Sequence, residues 1–380
     1  MSSAFELTGP SLSGVAHRAL ERAGLGRIRD KVVAGERLSF DDGMALYGSD
    51  DLAAVGALAN LVRERKHGDL TYFNRNIHVD PTNVCVAECI FCSFSRLKTG
   101  DPNAYLMEID EVVGRVRDLQ GTFLTEIHMV NGLNPDLPFA YYTDLLRALK
   151  REQPDLHIKA STAVEIHFFS EFYGMTYEQV LRELVEAGLD SLPGGGAEIF
   201  HPRARKKLCR DKADADQWLH VHRVAHRMGL RTNCTMLFGS IERIGERVDH
   251  VLRLRELQDE DGGFQTFIPL RFHNTNNRLR KIPEPTAGDT LRTFAVSRLL
   301  FDNLPHVKAY WPMLGIELAQ LSLDFGVDDI DGTVLEERIY HMAGADTPQG
   351  LARKDLVALI RRAGRIPVER DTLYHVAAEA

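Results

Sequence analysis

Ile77-His-Val-Asp-Pro-Thr-Asn-Val-Cys85-Val-Ala-Glu-Cys89-Ile-Phe-Cys92 runs a short apolar stretch straight into a loop with three cysteines. The stretch 77–79 reads as a strand too brief to stand alone. From there on, short apolar runs alternate with longer amphipathic ones. Further strand candidates lie at 125–130, 156–161, 191–192, 231–237, 265–270 and 307–311, with a weaker one at 328–330. Helix candidates lie at 108–119, 139–152, 177–187, 215–228, 244–259, 290–303 and 317–325. Such alternation implies parallel strands joined by crossover helices. About eight units fit between residues 75 and 332, the count of a (β/α)8 TIM-type barrel, an α/β fold. A doubly wound open sheet is the other arrangement of the same elements.

Outside that region the pattern differs. Residues 1–74 carry helical periodicity at 16–24, at 41–47 with Ser39 as a cap, and at 52–62. This reads as a helical N-terminal extension. Residues 333–380 mix helix with turns and read as a C-terminal segment capping the barrel.

Composition narrows the function classes. The 380 residues carry a formal net charge of -8, against the basic balance of nucleic-acid binders, so no nucleic acid is expected as partner. Hydrophobic residues make up 44%, enough for a large core. Five cysteines, an odd number clustered in one loop plus Cys209 and Cys234, do not form a disulfide scaffold and fit a reducing, cytoplasmic compartment. The start Met-Ser-Ser-Ala-Phe-Glu lacks the regions of a signal peptide. The apolar run 52–62 is too short to span a bilayer, so no membrane is expected.

The spacing C-x3-C-x2-C lets a short loop turn three thiolates toward one point. A cubane iron–sulfur cluster has four irons, so three ligands leave one iron open to a small molecule. A zinc site borrowing a fourth ligand, or three separate buried thiols, would satisfy the same spacing. In a barrel, functional groups sit at the C-terminal ends of strands. The cysteine loop follows the first strand candidate directly, and the other unusual segments also follow strands.

The pattern C-x3-C-x-aromatic-C, with Phe91 before Cys92, resembles the radical S-adenosylmethionine (SAM) superfamily. Thr125-Glu-Ile-His-Met-Val-Asn-Gly-Leu-Asn-Pro-Asp-Leu-Pro-Phe139 and Ile158-Lys-Ala-Ser-Thr-Ala-Val-Glu-Ile166 are similar to its aminofutalosine synthase (aminodeoxyfutalosine synthase) branch, of the futalosine route to menaquinone. So are Gly188-Leu-Asp-Ser-Leu-Pro-Gly-Gly-Gly-Ala-Glu-Ile-Phe200 and Tyr310-Trp-Pro-Met-Leu-Gly315, and the similarity runs from about residue 70 to about 348. The dehypoxanthine futalosine cyclases and deazaflavin-forming enzymes are close relatives of that branch.

The resemblance implies that Cys85, Cys89 and Cys92 ligate three irons of a [4Fe-4S] cluster. The fourth iron would chelate the methionine end of SAM. An external one-electron donor of flavodoxin or ferredoxin type would drive cleavage to methionine and a 5′-deoxyadenosyl radical. That radical would add to the enol-ether bond of 3-[(1-carboxyvinyl)oxy]benzoate, a substrate with two carboxylates. Rearrangement and loss of a carboxylate carbon as CO2 or bicarbonate would give aminofutalosine. SAM would thus be a consumed co-substrate. The resemblance is compatible with a homodimer. The alternatives are the related cyclase, which abstracts hydrogen, and a zinc-stabilised binding protein.

Site residues follow on the same footing. Phe91 is expected against the cofactor. Asn131 and Gly132 sit where the superfamily brings a Gly-rich segment to SAM, although Asn, Gly and Pro favour a plain turn there too. The branch usually has Gly-Gly-Leu-His-Pro here, so Asn131 and Asn134 replace a glycine and a histidine. Thr162 and Glu165 face SAM or start a helix. Gly194, Gly195 and Gly196 permit close backbone approach to substrate, and Glu198 suits ribose hydroxyls or a helix start. Met236 and Leu237 border adenine or fill the core. Arg271 suits a carboxylate or a rim salt bridge. His273 binds, moves a proton or caps a loop. Tyr310, with Trp311, walls the aromatic ring or packs in the core. His222 and His226 have metal-ligand spacing but read as a surface pattern, and Cys209 and Cys234 as structural.

Overall fold

The computed structural model describes residues 10–119 and 123–377. Ten strands form its sheet: β1 (Leu70–Phe73), β2 (Asn76–His78), β3 (Glu126–Met129), β4 (His157–Ala160), β5 (Ser191–Leu192), β6 (Arg231–Phe238), β7 (Phe264–Arg271), β8 (His306–Ala309), β9 (Asp329–Ile330) and β10 (Ile366–Glu369). Every pairing is parallel, in the order β10-β1-β9-β8-β7-β6-β5-β4-β3-β2.

The two ends of that order meet through the chain itself. β1 and β2 are separated only by Asn74 and Arg75. β1 pairs with β9, whereas β2 pairs with β3. Beyond β9 the chain runs alongside β2: Ile77 bridges Leu335, His78 N–H donates to the Leu335 carbonyl at 2.8 Å, and Asn76 N–H donates to Thr333 Oγ1 at 3.0 Å. The Val334 N–H returns a bond to Asn76 Oδ1 at 2.9 Å. This polar seam closes the barrel that strand–helix alternation implies. β10 adds to the free edge of β1.

Two strands escape the sequence pattern. β1 falls in the segment read as helical, and β10 is a half-exposed four-residue run containing Pro367. The run read as a strand over 307–311 stops at Ala309, because Pro312 favours the first turn of the short helix Trp311–Leu314. Tyr310 therefore sits at a strand-to-helix junction.

Before β1 stand four helices, Gly14–Arg22, Gly26–Ala34, Phe40–Gly48 and Leu52–His67. Ser39 caps the third with Asp42 in a reciprocal box. The fourth packs along the barrel helix Ala287–Leu300. The helix Ala163–Tyr173, unanticipated from periodicity, is fixed at its start by Thr162 and Glu165, each accepting from the other's backbone N–H. Among the described residues no helix is long and apolar enough to cross a membrane.

Burial overturns the reading of His222 and His226 as a surface pattern. Both are buried, and His222 Nδ1 and His226 Nε2 meet Thr232 Oγ1, at 2.9 and 2.8 Å. The helix Ala215–Arg227 turns this face onto β6, where the shared threonine pairs with one nitrogen of each ring and leaves His222 Nε2 and His226 Nδ1 buried without a partner. Arg223 and Arg227 lie toward the surface side, pairing with Glu260 and Asp261.

Candidate active site at the barrel mouth

The loop after β2 is shaped by backbone bonds rather than by its own cysteines. Cys85 N–H donates to the Arg96 carbonyl at 2.8 Å, and Arg96 N–H donates to the Asn83 carbonyl at 2.8 Å. The Arg96 guanidinium turns back on the loop, giving Nη1 to the carbonyls of Ser93, Phe94 and Ser95. Cys92 Sγ accepts the Ser95 N–H at 3.3 Å. The loop after β3 locks onto it: Gly132 N–H donates to Thr82, and Val86 N–H to Leu133. Gly132 is required here, since a Cβ would lie 2.7 Å from the Val84 carbonyl carbon.

Cys85, Cys89 and Cys92 open into one cavity of about 290 Å³ at the C-terminal ends of the strands. None of the three forms a disulfide. Burial pushes the Cys85 and Cys89 thiols up, so metal binding there would release their protons. Three free thiols on one stapled loop fit the protein side of an iron–sulfur centre with an open iron.

Most of the anticipated residues share this cavity: Phe91, Asn131, Gly132, Thr162, Gly194, Gly195, Gly196, Glu198, Leu237, Arg271, His273 and Tyr310. Two do not line it. Met236 is fully buried in the core, since alternation along β6 turns its neighbour Leu237 inward instead. Glu165 sits behind the wall, where it accepts from Asn131 N–H and Nδ2 at 3.3 and 3.2 Å. Burial raises it to about 7, against those bonds and the Thr162 cap. Asn131 thus takes an ordinary φ and is held by a carboxylate rather than needing a glycine's freedom.

The three glycines have packing reasons of their own. A Cβ on Gly194 would lie 2.7 Å from Cys234 Cα, and Gly196 has a φ of 81°. Glu198 follows at φ 48° and binds Lys212 Nζ at 2.7 Å. Arg271 gives Nε and Nη2 to the Pro285 carbonyl and lies 3.4 Å from Glu284. His273 Nε2 donates to the Met313 carbonyl at 2.9 Å, which leaves Nδ1 as the free lone pair facing Glu284. Trp311 is fully buried and gives its indole N–H to the Gly332 carbonyl, away from the cavity. Cys209 and Cys234 are buried and do not line this cavity.

Other lining residues carry no sequence signal of their own. His78 and His128 stack at 4.6 Å, and Tyr310 lies parallel to His78 at 5.8 Å with its hydroxyl 3.3 Å from Nδ1. Tyr340 and His273 continue this aromatic wall. Burial holds both stacked histidines neutral. Two residues earlier on the same strands, Asn76 reaches Asp331, and Glu126 pairs with the buried Lys159 at 2.7 Å. Lys308 stands 3.4 Å from Asp331, so a layer of buried charge lies beneath the wall. Asp80, Lys212 and Glu337 complete the polar lining. Only strand alternation hints at His78 and His128, two apart from Asn76 and Glu126 on inward-facing positions.

Comparisons with known proteins follow the same outline. Residues 79–254 match the Radical SAM superfamily, and residues 261–379 match the CofH/MqnC C-terminal region. An aminodeoxyfutalosine synthase of Thermus thermophilus is 54% identical, over 91% of this chain and 94% of that protein. One from Streptomyces coelicolor is 51% identical, over 94% of this chain and 95% of its own length. A cyclic dehypoxanthine futalosine synthase of Halalkalibacterium halodurans is 37% identical over 92% of this chain and 94% of its own. Among solved structures, methylornithine synthase superposes with a TM-score of 0.68 at 18% identity, covering 90% of this chain and 97% of that one. That likeness concerns the fold.

Proposed function

The chain belongs to the radical SAM superfamily and, within it, to the aminodeoxyfutalosine synthase family, and from that premise we propose that it makes aminofutalosine in the cytoplasm for menaquinone synthesis. It joins the 5′-deoxyadenosyl group of SAM to 3-[(1-carboxyvinyl)oxy]benzoate, with rearrangement and decarboxylation. The observation that carries this reading is convergence. Three cysteines from one loop, a glycine run from another and an aromatic wall from three further strand ends open into one cavity. Greater identity to the synthases than to the cyclase favours adenosyl addition over hydrogen abstraction.

When bound, the cluster supplies the electron that cleaves SAM, and SAM supplies the adenosyl group. Cys85, Cys89 and Cys92 hold the cluster. Asn131 and Gly132 present the edge of the SAM site, with Glu165 fixing the Asn131 amide from behind. Glu198, already oriented by Lys212, faces the sugar. The wall of His128, His78, Tyr310 and Tyr340 offers flat, neutral faces to the benzoate ring. Arg271 keeps one amino group free of the Pro285 carbonyl for a carboxylate. His273 stands beside it with Nδ1 unprotonated, as acceptor for a proton. The apolar rim of Leu237, Ile268, Leu270 and Phe272 limits water around a reactive carbon.

Anaerobically reconstituted, reduced enzyme incubated with SAM and the enol ether should yield aminofutalosine and methionine. Absence of the adenosyl adduct would reject the synthase reading, and turnover of dehypoxanthine futalosine instead would replace it with the cyclase. Cys89→Ala should abolish SAM cleavage, whereas Cys234→Ala should keep it.

A further inference from the structure

The cysteine loop is also part of the outer surface. Val86, between Cys85 and Cys89, is 44% exposed, and Leu97, five residues past Cys92, is 40% exposed. Ile90 is gripped from both sides by backbone bonds. Its N–H donates to the Leu208 carbonyl at 3.0 Å, and its carbonyl accepts the Arg278 N–H at 3.0 Å.

Each bond brings a cationic segment to the loop. Residues 203–212 hold six arginines and lysines against one aspartate, and 278–281 hold three against none. Part of this charge is used internally. Arg203 binds Glu246, Arg205 is buried on backbone carbonyls, and Lys212 binds Glu198. Lys206, Lys207, Arg210, Arg278, Arg280 and Lys281 are exposed. Arg210 lies 3.4 Å from Asp211 and Arg278 3.2 Å from Glu88. Among the described residues, no ion pair engages Lys206, Lys207, Arg280 or Lys281.

The whole chain carries a net charge of -8, so this face is a local exception that sits around the cluster-bearing loop. A positive patch on an acidic body steers and orients an acidic partner. Exposed apolar side chains on the same loop, Val86 and Leu97, give that partner something dry to seat on. The net negative field works against a long polyanion, which needs a continuous basic track.

We propose that Lys206, Lys207, Arg280 and Lys281, on the two segments bonded to the cysteine loop at Ile90, form the docking face for an acidic electron-carrying protein. The proposal rests on the reading of Cys85, Cys89 and Cys92 as cluster ligands. One electron leaves the carrier's reduced cofactor and enters the cluster across the loop. The carrier is oxidised by one electron, the cluster is reduced by one, and no bond or proton changes hands.

The test uses the reconstituted holoenzyme, reduced flavodoxin as the acidic carrier and titanium(III) citrate as a small chemical reductant. Cluster reduction is followed spectroscopically and product formation in parallel. In Lys206→Glu/Lys207→Glu/Arg280→Glu/Lys281→Glu, reduction by limiting flavodoxin should slow by roughly tenfold or more and lose its salt dependence. Reduction by titanium citrate should keep the wild-type rate. The neutral Lys206→Gln/Lys207→Gln variant should show a smaller loss in the same direction, which separates docking from damage to the fold. Equal flavodoxin rates in all three proteins would overturn the proposal. So would salt-sensitive binding of single-stranded DNA that the charge reversal removes while flavodoxin rates stay unchanged. Lack of product with titanium citrate in the wild type would instead strike at the proposed reaction, because cluster reduction still judges the docking.

Discussion

Replacing Gly132 by alanine places a methyl group between two backbones. The new Cβ would stand 2.7 Å from the Val84 carbonyl carbon and 3.0 Å from that of Asn83, and closer still to the Val84 oxygen. Ordinary contact begins at 3.4 Å, so clearing the carbonyl carbon alone parts the loops by about 0.7 Å, and clearing the oxygen parts them further. No flexible side chain stands there to yield. Parting strains the Gly132–Thr82 and Val86–Leu133 hydrogen bonds, each worth about 1 kcal/mol. Overpacking adds about 1–3 kcal/mol, so the expected loss rises to about 3–5 kcal/mol where both bonds break. The same movement displaces Cys85 relative to Asn131, and misplacement near 1 Å costs on the order of 100-fold in rate. Urea unfolding, iron per chain after anaerobic reconstitution, and aminofutalosine formation should all fall together. Gly114→Ala is the control: that glycine is mid-helix with open space at its Cβ position, and it should gain roughly 0.5–1 kcal/mol. Wild-type stability and iron content in Gly132→Ala would refute the argument that this contact shapes the ligand loop.

Glu165 makes stability depend on pH. Its folded value of about 7 stands above the ordinary 4.5, so the folded state binds the proton more tightly. Its favourable contribution is full below about pH 4.5 and is lost as pH rises through about 7, on the order of 3 kcal/mol. Chemical denaturation at pH 5 and pH 8 should show that fall in the wild type and a flatter response in Glu165→Gln; identical slopes would count against it. Lys159→Met strands the buried Glu126 carboxylate and should cost about 3–5 kcal/mol, whereas Glu126→Leu/Lys159→Met should recover much of the loss. A double variant no more stable than the single one would show that Lys308 and His128, which also face Glu126, dominate its environment. Arg96→Ala removes the donor to three carbonyls after Cys92 and should lower iron loading more than it lowers helix content by circular dichroism. Full iron occupancy in that variant would assign loop shape to the backbone bonds alone.

The barrel was readable because its period-two and longer periods alternate over a long stretch, which few other folds require. The cysteine loop was readable because three thiols in eight positions have few other uses. His78, His128 and Tyr340 were not, because a polar residue on a short strand or loop looks alike whether it faces the barrel axis or the outside. Glu337 and Tyr340 come to the cavity only through the seam between residues 76 and 335, a contact that leaves no local pattern. The same limit explains His222 and His226. Their burial depends on Thr232, on a strand whose packing against that helix no spacing rule encodes. The three glycines were found for their flexibility, but the close approach of Cys234 to Gly194, Thr162 to Gly195 and Val164 to Gly196 explains them equally well.

The seam also orders events in a chain still being made. Its partners, Asn76 with Thr333 and Ile77 with Leu335, are about 257 residues apart in sequence. Most of the protein must leave the ribosome before that edge of β2 finds a mate, and an unpaired edge invites association with other chains. The bonds that fold the ligand loop, from Thr82 to Gly132 and from Val86 to Leu133, span about 50 residues and are available far sooner. The cysteine loop can therefore acquire its shape while the opposite wall of the cavity is still unsynthesised.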